Sequence, residues 1–205
     1  MPGPSDTLHG SAPDQCPVAL LLVDVINPMD FPEAGRLLRS AVPAADRLAD
    51  LKRRARAAGV PVVYANDNFG RWRSDLSQVV ARCREPDCKG RPLADRLAPE
   101  PDDYFVLKPK HSAFFSTTLD TLLRHLGTRT LVVVGFAANI CVLFTANDAY
   151  MRDLRVAVPR DCVAANTPEE NEAAVEQMRR ILKADVRPAE EWTAAELRRV
   201  AAGKD

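Results

Sequence analysis

The chain alternates short apolar runs with longer segments in which apolar residues recur at helical spacing. The apolar runs lie at 18–25, 61–65, 104–108, 130–134 and 154–158, and the helical patterns at 35–58, 118–126, 141–152, 168–183 and 189–202. Strands that alternate with helices are typical of a parallel sheet covered by helices on both faces and built from right-handed βαβ units. The sequence therefore predicts an α/β fold.

Individual residues at the ends of these segments support the assignment. The first run is apolar from Val18 to Val23 before it meets Asp24, as expected of a strand that is buried on both faces. Gly59 follows the first helical pattern as a C′ residue would. Thr167 and Pro168 suit the N-cap and the first position of a later helix.

Length and composition indicate the domain organisation. Residues 1–16 are rich in Pro, Gly, Ser and Asp without periodicity, which predicts a flexible N-terminal tail. The remaining residues, 17–205, are enough for a single domain with one core. Within that domain a polar stretch at 66–91 has only a weak helical pattern, around 75–83, and an insertion of this kind often covers a site.

Charge and cysteine content argue against several classes of protein. Lys and Arg number 28, as do Asp and Glu, and no basic block could neutralise a run of phosphates, so we expect no nucleic-acid partner. No apolar stretch approaches the roughly 20 residues that span a bilayer. The first ten residues do not have the features of an export signal, so we expect a cytoplasmic protein.

Five scattered cysteines indicate reduced thiols rather than a disulfide framework. Cys83 and Cys88 have no second pair of ligands nearby, so we interpret them as ordinary thiols.

Three reactive side chains follow the ends of predicted strands. Asp24 follows the first strand, Lys108 ends the third, and Cys141 follows the fourth after a small-residue turn at Gly135. In open α/β sheets this edge is where ligands bind. A thiol, a carboxylate that can move its proton and a cation together suit attack on a carbonyl or nitrile carbon. A thiol at the start of a helix is also expected to favour the thiolate form.

Each of the three residues also has an ordinary interpretation when it is taken alone. Asp24 could cap a neighbouring helix, Lys108 could be a solvated surface lysine, and Cys141 could be an inert buried thiol. Three independent coincidences at one sheet edge are less probable than one site. The joint placement therefore favours a functional cluster.

Three separated motifs resemble the isochorismatase-like cysteine hydrolases, a superfamily that includes nicotinamidase and N-carbamoylsarcosine amidohydrolase. They are LLLVDVIN around Asp24, FVLKPKHSAFFSTTLDTLL after the third strand, and VVVGFAANICVLFTANDAYMRD around Cys141. The resemblance covers about residues 17–185, and the motifs agree in order, spacing and structural context. It implies a three-layer α/β/α domain with a six-stranded, mainly parallel sheet.

The resemblance also implies a catalytic apparatus. A triad of Asp24, Lys108 and Cys141 would hydrolyse an amide through a thioester, with Asp24 moving the thiol proton to the leaving ammonia and Lys108 holding the two anionic groups in register. The family's oxyanion hole maps onto the backbone N–H groups of Ala137 and Cys141. A cis peptide is expected between Phe136 and Ala137.

The chain departs from its relatives beyond the second strand and after Asp24. After the second strand nicotinamidases carry an Asp-x-His metal motif, whereas this chain reads Asn66-Asp67-Asn68-Phe69 without histidine. We therefore expect no catalytic metal and no other cofactor, and we doubt nicotinamide as substrate. The loop 27–31 also differs from the usual continuation. The predicted substrate-binding residues are Asn68, Phe69, Trp72 and His111, although Trp72 could instead pack the insertion onto the sheet.

The leading functional hypothesis is a metal-independent cysteine hydrolase that cleaves a small C–N amide. One alternative is vinyl ether cleavage of the isochorismatase type, whose members can lack the cysteine. The other is a catalytically idle α/β module that acts through partner surfaces. No Gly-x-Gly-x-x-Gly follows the first strand, which argues against a dinucleotide enzyme. By resemblance we also expect a homo-oligomer.

Overall fold

The computed structural model describes residues 15–67 and 75–203. Its strands are β1 (Val18–Val23), β2 (Val62–Asp67), β3 (Tyr104–Lys108), β4 (Thr130–Phe136), β5 (Arg155–Ala157) and β6 (Val163–Ala164). Its α-helices are α1 (Ala34–Ala57), α2 (Leu76–Cys83), α3 (Arg91–Arg96), α4 (Leu119–His125), α5 (Leu143–Tyr150), α6 (Pro168–Ile181) and α7 (Ala194–Ala201).

The strands form one parallel sheet in the order β3-β2-β1-β4-β5. The short strand β6 pairs with the end of β4, beyond the stretch of β4 that pairs with β5. All six residues of β1 are buried, as its uninterrupted apolar run predicts. The predicted α/β class and the six-stranded parallel sheet are therefore confirmed.

Helices cover both faces of the sheet. Because side chains alternate along a strand, Leu20 and Leu22 of β1 belong to one core and Leu21 and Val23 to the other. The first core is shared with α1, α2, α3 and α7, and the second with α4, α5 and α6. The domain thus has the three-layer α/β/α arrangement.

Most helix boundaries agree with the sequence pattern. Gly59 ends α1 with a φ of +74°, and Thr167 begins α6 with a capping box in which Glu170 takes part. The helix predicted over 189–202 is wrong as a single element, because Thr193 is extended and its side chain accepts the Glu196 N–H as the N-cap of α7. A short 3₁₀ turn, Ala189–Glu191, precedes it.

The chain enters the fold at Cys16, which is buried and whose N–H donates to the carbonyl of Leu126 at 2.6 Å. The predicted tail lies almost wholly outside the described residues. All five cysteines are described and all are free thiols. Among the helices described, none combines the length and the apolar character that a membrane crossing needs.

Candidate active site

Asp24, Lys108 and Cys141 meet at the carboxyl edge of the sheet. Lys108 Nζ lies 2.7 Å from Asp24 Oδ2 and donates to Cys141 Sγ at 3.6 Å. The Asp24 carboxyl group and the Cys141 thiol also interact, since each shifts the pKa of the other. The structure therefore brings together the three residues that the sequence selected from separate strands.

Asp24 is held by the turn that follows β1. Its φ of +52° lies in the left-handed region, which directs the chain out of the strand at once. Its Oδ1 accepts the backbone N–H of Asp67, at the end of β2, at 2.7 Å. One carboxylate oxygen thus faces the neighbouring strand and the other faces Lys108.

Lys108 is completely buried, with an exposed fraction of 0%. Besides Asp24 and Cys141, its ammonium group donates to the carbonyl of Lys110 at 3.1 Å and lies 3.8 Å from Asp67 Oδ2. A buried ammonium group is tolerated only when charges and acceptors surround it. The alternative interpretation of Lys108 as a surface lysine is therefore wrong.

Cys141 is positioned by the turn after β4. Gly135 has a φ of +117°, and a Cβ there would lie 2.1 Å from the carbonyl oxygen of Val23, so only glycine permits this approach of β4 to β1. The peptide bond between Phe136 and Ala137 is cis, as the resemblance implies. The turn places the thiol beside Asp24.

The helix predicted over 141–152 begins before residue 141, and its first turn is π-helical rather than α-helical. A π-helical turn spans Ala138–Val142, with the Val142 N–H donating to the Ala137 carbonyl at 3.1 Å, and α5 follows it. Single π turns are frequent at functional sites. Cys141 lies inside this turn and is partly exposed, which excludes the interpretation of a fully buried thiol.

The surroundings of Cys141 disfavour the thiolate form, whereas its position at the start of a helix predicts that this form is favoured. Burial, followed by the charge of Asp24, raises the pKa of the thiol to about 12, although Lys108 acts in the opposite direction. The helix terminus favours an anion by only about 0.3–1 kcal/mol, which is too little to offset these effects. The resting group is a protonated thiol that needs a base.

The two charged partners stabilise each other. Burial raises the pKa of Asp24, and Lys108 partly offsets this rise. Burial lowers the pKa of Lys108, but the charges of Asp24 and Cys141 outweigh it, so the net pKa is raised. A carboxyl group with a raised pKa, beside an ammonium group and a thiol, is suited to accept the thiol proton.

A cavity of about 430 Å³ opens beside these residues. Apolar side chains form much of its wall, and among them are Phe31, Leu37, Phe136 and Ile140. Asp24, Ala137 and Cys141 line it as well, so the two residues of the predicted oxyanion hole border the cavity beside the thiol. The volume suits a small organic molecule.

The structure tests only part of the predicted substrate pocket. His111 lines the cavity, with its Nδ1 3.7 Å from Cys141 Sγ. Asn68, Phe69 and Trp72 lie outside the described residues, so their proposed roles stay predictions. Sequence reasoning did not assign Glu33 and Asn166, which line the cavity and are hydrogen-bonded to each other at 3.3 Å.

The loop after β1 forms one wall of the cavity. Asn27, Phe31, Pro32 and Glu33 line it, and the departure of this loop from the family pattern was the only sequence signal for its role. The buried Asn66 amide donates to the Ile26 carbonyl, which fixes the start of the loop. The wall is thus attached to β2.

The described part of the insertion supports the same loop from behind. A Cβ at Gly90 would lie 1.7 Å from the Asn27 carbonyl oxygen, so the two backbones pack directly together. Cys88 is buried there, and its thiol donates to the Pro28 carbonyl at 3.6 Å. Residues 75–91 therefore stabilise the shape of the pocket wall.

We expect Lys108→Met to destabilise the protein at neutral pH by about 3 to 5 kcal/mol, because Asp24 would lose its buried counter-ion. The pKa of Asp24 would rise further, and a carboxyl group with a raised folded-state pKa stabilises the fold only while it is protonated. The deficit should therefore shrink as the pH falls toward 4. Urea unfolding of both proteins across this pH range measures it, and a deficit that is independent of pH would contradict the explanation.

The parallel sheet, the three side chains at its carboxyl edge and the adjoining cavity define an isochorismatase-like α/β hydrolase. A family model described as the isochorismatase domain matches residues 18–191. The isochorismatase family protein YaaI of Bacillus subtilis is 40% identical over 173 residues, which are 84% of this chain and 94% of that protein. The chain therefore belongs to the isochorismatase family.

Two relatives carry names that describe an activity. The ureidoacrylate amidohydrolase RutB of Methylorubrum extorquens is 34% identical over 141 residues, which are 58% of this chain and 56% of that protein. The matched region thus spans little more than half of that relative. The crystal structure of N-carbamoylsarcosine amidase from Thermoplasma acidophilum is similar with a TM-score of 0.65 and 29% identity, over 84% of this chain and 96% of the other.

Proposed function

We propose that this protein is a cysteine amidohydrolase that cleaves a small C–N amide outside peptides through a thioester. The observation that carries the proposal is the contact of Lys108 Nζ with both Asp24 and Cys141 beside the cavity. The names of the amidohydrolase and amidase relatives support the same class of bond. The small volume of the cavity supports a small substrate.

The reaction begins with transfer of the Cys141 proton to Asp24. The sulfur then attacks the amide carbon, and the N–H groups of Ala137 and Cys141 donate hydrogen bonds to the oxygen on which negative charge develops. Asp24 passes its proton to the nitrogen as the C–N bond breaks, and the amine or ammonia leaves. Water then hydrolyses the thioester, which releases the acid and regenerates the thiol.

Lys108 has a balancing role in this scheme. Its charge stabilises the thiolate while the proton resides on Asp24, and it stabilises the Asp24 carboxylate once the proton has left. A raised pKa of Lys108 keeps the ammonium group charged throughout the cycle. The proton thus moves from the Cys141 thiol to the Asp24 carboxyl group while Lys108 stays positively charged.

The proposal is tested by ammonia release from a panel of small amides, combined with iodoacetamide. We expect loss of activity to follow the fraction of Cys141 that peptide mapping shows to be alkylated. The four other cysteines are buried and serve as internal controls, since they should remain unmodified in the folded protein. Full activity after complete alkylation of Cys141 would refute the assignment. Enol ether cleavage without amide hydrolysis would favour the isochorismatase type of reaction.

We expect turnover to be independent of added metal. The stretch Asp67-Asn68-Phe69 has no histidine where nicotinamidases carry their Asp-x-His metal motif, and Lys108 already supplies a positive charge beside the thiol. Dialysis against EDTA should therefore leave kcat within about twofold of the untreated value, whereas loss of a catalytic metal removes several kcal/mol of transition-state stabilisation. A large loss that zinc or manganese restores would contradict this prediction.

A further inference from the structure

Cys141 has a third partner besides Asp24 and Lys108. His111 Nδ1 lies 3.7 Å from Cys141 Sγ, and the imidazole ring packs against Phe144 with a centroid distance of 5.6 Å. Unlike the buried Asp24–Lys108 pair, His111 is exposed. The sulfur therefore has two buried partners and one partner that is open to solvent.

The loop that carries His111 is attached to the nucleophile's own helix. Ser112 Oγ donates to Asp148 Oδ2 at 2.5 Å, and the Ala113 N–H donates to Thr145 Oγ1 at 3.0 Å. Both acceptors belong to α5, which continues directly from the turn that contains Cys141. These two hydrogen bonds therefore hold His111 close to the thiol.

Asp24 already has a partner on each of its carboxylate oxygens. Its exposed fraction is 4%, Oδ1 already accepts the Asp67 N–H, and Oδ2 already contacts Lys108. The hydrolytic water must enter from the cavity, where the thioester would be attached to Cys141. His111 lines that cavity and is in contact with the sulfur.

We propose that His111 is a second proton-transfer residue of this site, which acts in hydrolysis of the thioester. The inference rests on the proposed function. As the water oxygen bonds to the acyl carbon, His111 takes one proton from the water. The C–S bond then breaks, the acid leaves, and the imidazolium returns that proton to the Cys141 sulfur. One water is consumed, and the enzyme ends in its starting protonation state.

The test uses His111→Ala and His111→Gln in the full chain, with the amide that the wild type hydrolyses fastest. Loss of a general base typically costs 10²- to 10⁴-fold, so we expect kcat to fall by about 100-fold or more in both variants. Acylation does not use His111 in this scheme, so intact-protein mass spectrometry after acid quenching should show the acyl-enzyme accumulating. Added imidazole should restore part of kcat in His111→Ala.

His125→Ala is the matched control, because His125 is an exposed histidine on α4 that does not line the cavity. It should keep the wild-type kcat and show no acyl-enzyme. Unchanged kcat in both His111 variants would overturn the proton-transfer role while leaving the cysteine mechanism intact. A fall in kcat without acyl-enzyme and without rescue by imidazole would also overturn it. If the wild type hydrolyses no amide in the panel, the proposed function itself fails.

Discussion

Cys141→Ala is expected to reduce amide turnover by roughly 10⁴-fold or more, because the described residues that line the cavity offer no other thiol or hydroxyl group to form the acyl intermediate. The substitution removes one sulfur atom from a partly exposed position and leaves the Asp24–Lys108 pair in place. Folding should therefore be preserved, and the variant should bind substrate. Ammonia release and the melting temperature, measured on the same preparation, check both halves of the prediction.

Cys16→Ala provides the matched control for Cys141→Ala. Cys16 precedes β1, at the opposite end of the strand from Asp24, and its thiol donates to the carbonyl of Gly59. We expect wild-type kcat from this variant. Residual turnover above about 1% in Cys141→Ala would show that the cysteine is not the nucleophile, and a water attack assisted by Asp24 would then become the better mechanism.

The sheet and the position of the site were predictable because they depend on local patterns. An apolar run that ends in Asp24 or Lys108 identifies both a buried strand and the residue at its carboxyl end. In a parallel sheet those ends share one edge, so residues separated by more than 80 positions become neighbours without any knowledge of packing. The contact between Lys108 and Asp24 follows from this topology.

Features that depend on packing were not predictable. The turn at Cys141 suggested a lowered thiol pKa, whereas burial and the neighbouring carboxylate raise the pKa to about 12. The wall formed by the loop after β1 depends on the contact of Gly90 with Asn27, which are far apart in sequence. The extended Thr193 divides the last helical pattern because its side chain caps α7, although apolar periodicity continues through it.

Asp24→Asn is expected to make the Cys141 thiol more reactive toward iodoacetamide and to reduce amide turnover. The negative charge of Asp24 raises the pKa of the thiol, and Lys108 lowers it. When the carboxylate is replaced by a neutral amide, only the lowering charge remains, so the thiol pKa should move below 12 and alkylation by iodoacetamide at pH 8 should become faster. Amide turnover should nevertheless fall by at least about 10²-fold, since the carboxylate that carries the proton from sulfur to the leaving nitrogen is lost.

This pair of results separates a proton carrier from a residue that merely holds the site together. If Asp24 only positioned Lys108, its loss would loosen the cation, and alkylation and turnover would decline together. The pH profile of alkylation measures the first property and ammonia release the second. Asp67→Asn is the matched control, because Asp67 Oδ2 is 3.8 Å from Lys108 Nζ whereas its backbone N–H, which survives the substitution, is what binds Asp24. It should change the thiol pKa only slightly and retain most of the turnover, and equal losses in both variants would contradict a specific role for Asp24.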